Sequence, residues 1–334
     1  MDEIINKLNA LKDKIQQLET SHNKMLKADL FHGNFNDYLG YILEKQREYL
    51  YYFLRKAPGE SAEETRIGIL QSLSVPEYHP MFLIQKIIRI LFKGLNGICR
   101  ENGLRYWLDG RTLSAVHKIT DLAPGDDHAN VGMPLDDIEK LTALLSGNPD
   151  YFVEISYTCT KKGYIKLYRF MLRKCNATFI DLFSYHYADF DSVLHKGEYW
   201  KKVDGLRRAY GEESCGLQEL IEGNPALAEQ REALVRKYMR QQDEIISKNN
   251  DKGALFWGIE NFAYGRDNIL NCEKMFPLGD IDLWGDKFCS ANEYLVKMRN
   301  ISRLSLPSLD MGRIHKMQEA EEIRLRQIIK EYSE

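Results

Sequence analysis

The chain of 334 residues has room for one large domain or two modest ones. Its 44% hydrophobic and 28% charged residues are ordinary for a globular protein, and a net charge of −3 argues against nucleic acid as the main partner. The run Lys161, Lys162, Lys166, Arg169, Arg173 and Lys174 leaves two readings open, a local basic groove or a solvated strand face.

The opening residues, "MDEIINKLNALKDKIQ", lack the apolar core of an export signal. Ile4, Leu8, Leu11, Ile15, Leu18 and Met25 follow a 4-3 spacing, with His22 at an intervening seam position. This predicts a short coiled-coil-like helix, either a self-associating arm or a helix folded back on the body. A second helix is expected over Asn36 to Arg55, then a break at "APGESAEE", where Ser61 is placed to cap a further helix. "MFLIQKIIRILFKGL" carries Lys86, Arg89 and Lys93, too many charges for a membrane span. It reads as a buried helix from Pro80 to Glu101, stopped by Asn102–Gly103.

The pattern then changes. "LRYWLDG" suits a short buried strand, "RTLSAVHKI" a helix starting near Thr112, and "HANVGM" another strand. Pro134 and the acids after it open a helix through Leu145. "YFVEISYTCT", the turn "KKG" and "YIKLYRFML" form a hairpin, and "NATFIDLFSY" is a third strand. After Tyr185 the chain reads as helical again, with one long helix following Asn224–Pro225, a hairpin or loop at "FPLGDIDLWGDKF" and a charged C-terminal helix. On that last helix Ile314, Met317, Ile323, Leu325 and Ile329 supply a partial apolar face. The class is α+β.

None of the six cysteines forms a C-x-x-C pair, so a zinc-ribbon site is not expected, and with no export signal read at the opening they are expected to be reduced thiols in the cytoplasm. The eight histidines show no H-E-x-x-H spacing, and G-x-S-x-G and G-x-x-x-x-G-K are absent. "YGRDN" at Tyr264 to Asn268 is a polar cluster that reads as cleft or surface loop. Tyr157, Tyr185, Tyr187, Trp257 and Trp284 suit either stacking on a ligand or core packing.

Chemistry concentrates between Asp109 and Asp181. Read as a strand, Asp126 to Val131 places Asp126, His128 and Asn130 on one face and Asp127, Ala129 and Val131 on the other. Asp181 stands alone in the apolar run "FIDLF", where an acid needs a partner or a cation. In "LDGRTL", Gly110 permits a sharp turn, Thr112 can cap the following helix, and free N–H groups at a helix start attract phosphate.

"YWLDGRTLSAVHKITDLAPGDDHANVGM", followed by "FIDLF" and "FPLGDIDLWG", resembles the LicD/fukutin-type family of the nucleotidyltransferase superfamily. The likeness spans Leu104 to Leu306, dense in about forty of those residues and thin elsewhere. It implies a nucleotidyltransferase-like mixed sheet over 104–190 and a mainly helical 191–334 completing the domain, while the coiled-coil-like 1–28 and the helical 29–103 lie outside it. It also implies transfer of phosphocholine, or a similar phosphorylated head group, from a CDP-linked donor to a surface glycan or its precursor. Mg²⁺ or Mn²⁺ would neutralise the donor diphosphate.

Carried onto this sequence, the resemblance implies catalytic Asp126, Asp127, Asp181 and Asp109. Metal ligands would be Asp126, His128, Asn130 and Asp181, and donor-binding groups Gly110, Arg111, Thr112 and Lys118. The departures are specific: His128 and Asn130 replace acids, Arg111 replaces a small residue, and Gly125 replaces a tryptophan. Three readings follow: an active transferase, a degenerate binding or scaffolding module, or a nucleotidyltransferase that takes a nucleoside triphosphate. No nucleic-acid partner and no membrane span are expected, and a homo-oligomer through the N-terminal helix is a possible assembly.

Overall fold

Helix-forming periodicity ends cleanly at Gly103, whose backbone sits in the left-handed region at φ +63°. In the computed structural model this glycine follows a helix over Pro80–Glu101, as the sequence predicts. The structure describes residues 50, 52, 54, 56–72, 75, 77, 80–160, 163–188, 198–246, 252–264, 269–290, 292 and 319–332. The heptad pattern of 1–28, most of the helix expected over Asn36 to Arg55, and all of "YGRDN" but Tyr264 lie outside those residues.

The chain divides into two compact units. The smaller comprises 1–76, 123–125 and 303–316. Its described helix, α1 (Ala62–Ser72), starts at a reciprocal cap. The Glu64 N–H donates to Ser61 Oγ at 3.2 Å, and the Ser61 N–H donates to Glu64 Oε2 at 2.7 Å.

The larger unit comprises 77–122, 126–302 and 317–334. It begins with α2 (Pro80–Glu101), whose Met81, Ile84, Ile88, Leu91, Leu95 and Cys99 recur at helical spacing and are buried. Each such aliphatic side chain contributes about 1.5–3 kcal/mol on burial. Gly94 lets this helix come close to the sheet, because a Cβ there would lie 2.4 Å from the ring of Tyr151.

The next elements are β1 (Trp107–Leu108), α3 (Gly110–Ile119), β2 (Ala129–Pro134), α4 (Leu135–Leu144), β3 (Tyr151–Thr160), β4 (Gly163–Leu172) and β5 (Cys175–Ala188). Then come α5 (Glu198–Gly223), a 3₁₀ turn over Pro225–Leu227, α6 (Ala228–Ile246), β6 (Ala254–Trp257) and a 3₁₀ turn over Ile259–Tyr264. β7 (Leu270–Asn271), α7 (Cys272–Met275), the hairpin strands β8 (Gly279–Leu283) and β9 (Asp286–Ser290), and α8 (Glu319–Glu331) complete it.

The sheet runs β1-β2-β5-β4-β3, with β6 on β5 and β7 on β6. Among the described residues β2 and β5 run parallel and the other pairings in the sheet are antiparallel. The α+β class therefore holds. The sheet also extends past residue 190, because "ALFW" pairs with the end of β5. Four residues are too short for alternation to distinguish a strand from a loop. The expected long helix after Asn224 starts as a 3₁₀ turn and becomes α-helical at Ala228.

The β8–β9 hairpin turns at Trp284 and Gly285, at φ +55° and +84°. Trp284 is held there by its indole N–H, which donates to Asp121 at 2.8 Å, and by Arg89 5.0 Å over its ring. Arg100 donates to Asp280 at 2.8 Å, so charged groups tie the hairpin to α2. In α8 Leu325 is buried as expected and Ile328 is buried beside it, whereas Ile323 is exposed; Ile314 and Met317 lie outside the described residues. Among the described residues no helix is long and apolar enough to cross a membrane.

Candidate active site

The loop from β1 into α3 is locked from below. Asp109 is fully buried and caps α3: its Oδ1 accepts the Gly110 N–H at 2.7 Å. Its Oδ2 accepts the hydroxyl of Tyr185 from β5. Gly110 adopts φ +52°, and a Cβ there would lie 3.2 Å from the Phe183 ring and 3.4 Å from Asn130 Oδ1. Both the backbone and the neighbours therefore favour glycine. Thr112 is buried, and its Oγ1 accepts the Asn130 N–H at 2.8 Å.

Of the residues expected to cradle the donor, Gly110 thus has its N–H engaged by Asp109, and Thr112 spends its hydroxyl on β2. Lys118 lies in the last turn of α3, roughly 12 Å along the helix axis from Gly110. Arg111 is different, with a side chain 39% exposed. Its Nε donates to Asp126, whose side chain is 4% exposed.

The strand expected from Asp126 begins only at Ala129. Asp126, Asp127 and His128 occupy the bend before it, so strand alternation does not govern their directions. The bend is fastened to β5 by the Thr178 hydroxyl, which donates to the Asp127 carbonyl at 2.6 Å. Asp127, expected on the opposite face, accordingly stands beside His128, with Oδ1 2.7 Å from Nδ1. His128 Nε2 lies 3.9 Å from Asp181 Oδ2, and its ring stacks on Phe179 at 5.2 Å.

Within the sheet, alternation does hold. Asn130 pairs with Asp181 across β2 and β5, Asp181 with Arg169 across β5 and β4, and Arg169 with Glu154 across β4 and β3. Partners in register share a face. Four polar residues therefore cross four strands in one row. Arg169 Nε is 3.4 Å from Asp181 Oδ1, and its guanidinium lies 4.1 Å over Phe179. Burial pushes the Asp181 carboxyl up against the opposing pull of His128 and Arg169. Burial works against a charged His128, but Asp127, Asp181 and Asp126 together outweigh it and raise its pKa.

Phe179 and Glu154 were not identified from the sequence as site residues, and Arg169 was named only as one of a basic run. The signal was present in the alternation of Phe179, Asp181 and Phe183 along β5, which places all three on one face. The same rule splits the basic run. Lys166 pairs with Glu232 at 2.7 Å, Arg173 donates to the Asn148 carbonyl at 2.6 Å, and Lys174 pairs with Glu331. Among the aromatic candidates, Tyr185 and Trp257 are buried against each other and against Trp107 and Phe183.

A divalent cation is not matched by this donor set as it stands. Asp126 is engaged by Arg111, Asp181 lies between Arg169 and His128, and Asp127 is turned onto His128. Among the described residues no three His, Cys, Asp or Glu side chains converge as a cation cage. What the face offers is two arginines and an imidazole, each set by a carboxylate.

Residues 103–207 match the family model for the nucleotidyltransferase domain of LicD/FKTN/FKRP. That segment contains β1 through β5 and every residue of the site described above. No curated protein matches the chain.

Proposed function

We propose, from the match of residues 103–207 to the LicD/FKTN/FKRP nucleotidyltransferase-domain model, that the site transfers a phosphorylated head group of the phosphocholine type. The donor is CDP-linked, and the acceptor is a hydroxyl of a glycan or its precursor. One observation carries this reading. Arg111 contacts Asp126, and the next residue in the chain, Asp127, begins a second run of contacts through His128 and Asp181 to Arg169, so the six residues extend from the first turn of α3 to one face of the parallel β2–β5 pair.

In this reading the acceptor oxygen attacks the head-group phosphorus while the bond to the CMP oxygen breaks. The hydroxyl proton is released to water, and CMP leaves with the electron pair of the broken P–O bond. Arg111, at the start of α3, is positioned to meet phosphate oxygens near the positive end of the helix. Asp126 holds Arg111, and Asp127 holds His128 through Nδ1, leaving Nε2 directed toward Asp181. Asp109 and Thr112 act further back, fixing the loop that carries Arg111.

Calorimetry with CDP-choline tests the proposal. Saturable binding, weakened by Arg111→Gln and by Asp181→Asn, is the expected result. Failure of every CDP-linked donor to bind, with or without Mg²⁺ or Mn²⁺, overturns it. A second reading, binding without turnover, is favoured by the pairing of Asp126 and Asp181 with arginines. It predicts the same binding but no CMP release in the presence of a competent glycan acceptor.

A further inference from the structure

The acids that a divalent cation would use are already engaged by cations of the chain itself. Asp126 is 4% exposed and sits against Arg111 Nε, and Asp181 is 13% exposed with Arg169 Nε at 3.4 Å. Opening either pair to admit a cation separates a buried carboxylate from its guanidinium, which is costly. The two arginines share a further property. Each is gripped through Nε, and among the described residues the terminal nitrogens of Arg111 make no hydrogen bond. Those of Arg169 make only a long ionic contact, Nη1 to Glu154 at 3.9 Å. Both side chains are partly open, 39% for Arg111 and 26% for Arg169. Phe179 fixes the plane of Arg169 from one side and stacks on His128.

We infer that Arg111 and Arg169 take the charge-neutralising role at this site. Each presents its terminal nitrogens to a diphosphate, while Asp126 and Asp181 act as positioning residues rather than cation ligands. A guanidinium held through Nε keeps a planar pair of donors, which matches two oxygens of a phosphate and is not reproduced by lysine. Arg111 departs from the family pattern, and the structure places it against Asp126, where the pattern has a cation-facing acid. The inference rests on the transferase reading for the identity of the ligand, but the phosphate chemistry stands apart from it.

The test is calorimetry on the full chain with CDP-choline and, separately, inorganic pyrophosphate, in EDTA and with added Mg²⁺ or Mn²⁺. Both ligands are expected to bind in EDTA, with little change on adding either cation. Arg111→Gln and Arg169→Gln are each expected to weaken binding about tenfold or more. Arg111→Lys and Arg169→Lys keep the charge, guard against misfolding and are expected to restore little of the loss. Binding that appears only with Mg²⁺ or Mn²⁺ overturns the inference and leaves the transferase reading standing. Pyrophosphate binding in EDTA without CDP-choline binding supports the inference and counts against that reading. No binding of either ligand under any condition overturns both, and full rescue by the lysine variants overturns the bidentate arrangement.

Discussion

The Thr112 hydroxyl accepts the backbone N–H of Asn130 at 2.8 Å, joining the first turn of α3 to the second residue of β2. Both groups are buried. The bond fixes the loop that carries Arg111 against the strand that carries Asn130. A buried N–H left without a partner costs about 1–3 kcal/mol. Thr112→Val should therefore lower stability by about that amount, read as a shift in the urea midpoint, and Thr112→Ser should recover most of it. An unchanged midpoint in the valine variant would show that the bond contributes nothing net.

Gly132 pairs with Trp107 across β1 and β2, and a Cβ there would lie 2.3 Å from the indole. Trp107 is fully buried, so the ring has nowhere to move without disturbing Tyr185, 4.9 Å away. Gly132→Ala is expected to destabilise the protein by about 1–3 kcal/mol through overpacking. Tryptophan fluorescence should shift as the ring is displaced. A neutral substitution with an unshifted spectrum would contradict this packing.

His186 lies on the other face of β5, with Nδ1 3.1 Å from Asp243 and Nε2 2.8 Å from Glu260. Glu260 is fully buried and also accepts the Ser184 hydroxyl at 2.5 Å. Burial opposes the imidazolium, but Glu260 and Asp243 outweigh it and raise its pKa from 6.5 to about 10. Burial likewise opposes the Glu260 carboxylate, and His186 overcomes it, so that pKa is lowered. The sign follows: the histidine's contribution is whole below 6.5 and is lost as pH rises through about 10. Urea midpoints should fall between about pH 7 and about pH 10, and His186→Gln should flatten that fall. Equal slopes in the two proteins would remove His186 as the cause.

The C-terminal helix α8 offers a contrast within one element. Leu325 and Ile328 are 2% and 4% exposed, whereas Ile323 is 52% exposed. Leu325→Ala and Ile328→Ala should each cost about 2–5 kcal/mol, while Ile323→Ala should stay within about 0.5 kcal/mol. Chemical denaturation of the three variants separates the faces. A large loss at Ile323 would place the apolar stripe where its sequence spacing alone suggested.

Local pattern was enough for much of this molecule. The helix over Pro80–Glu101 was legible because its apolar spacing, its length and the closing Gly103 agree. The strand–Gly–Arg–Thr–helix junction and the mid-strand Asp181 were legible because turn chemistry and a lone acid in an apolar run are local signals. The direction of Asp127 was not, since it depends on Thr178 holding a bend shut from 51 residues away. Nor was the place of Arg169, because a basic run of six residues reads alike whether it lines one groove or divides between two faces.

Composition, periodicity and turn residues, taken alone, were sufficient for the α+β class, the order of most elements and the short list of polar residues around Gly110 and Asp181. Those features act over a few residues, and local sterics and hydrogen bonding set them. Which acid meets which cation is another matter. Arg111 reaches Asp126 across a loop, and Arg169 reaches Asp181 only because β4 and β5 pair in one register. A one-residue slip would send every side chain of a strand to the opposite face. Folding therefore turned carboxylates that the sequence offered as cation ligands into the partners of two arginines.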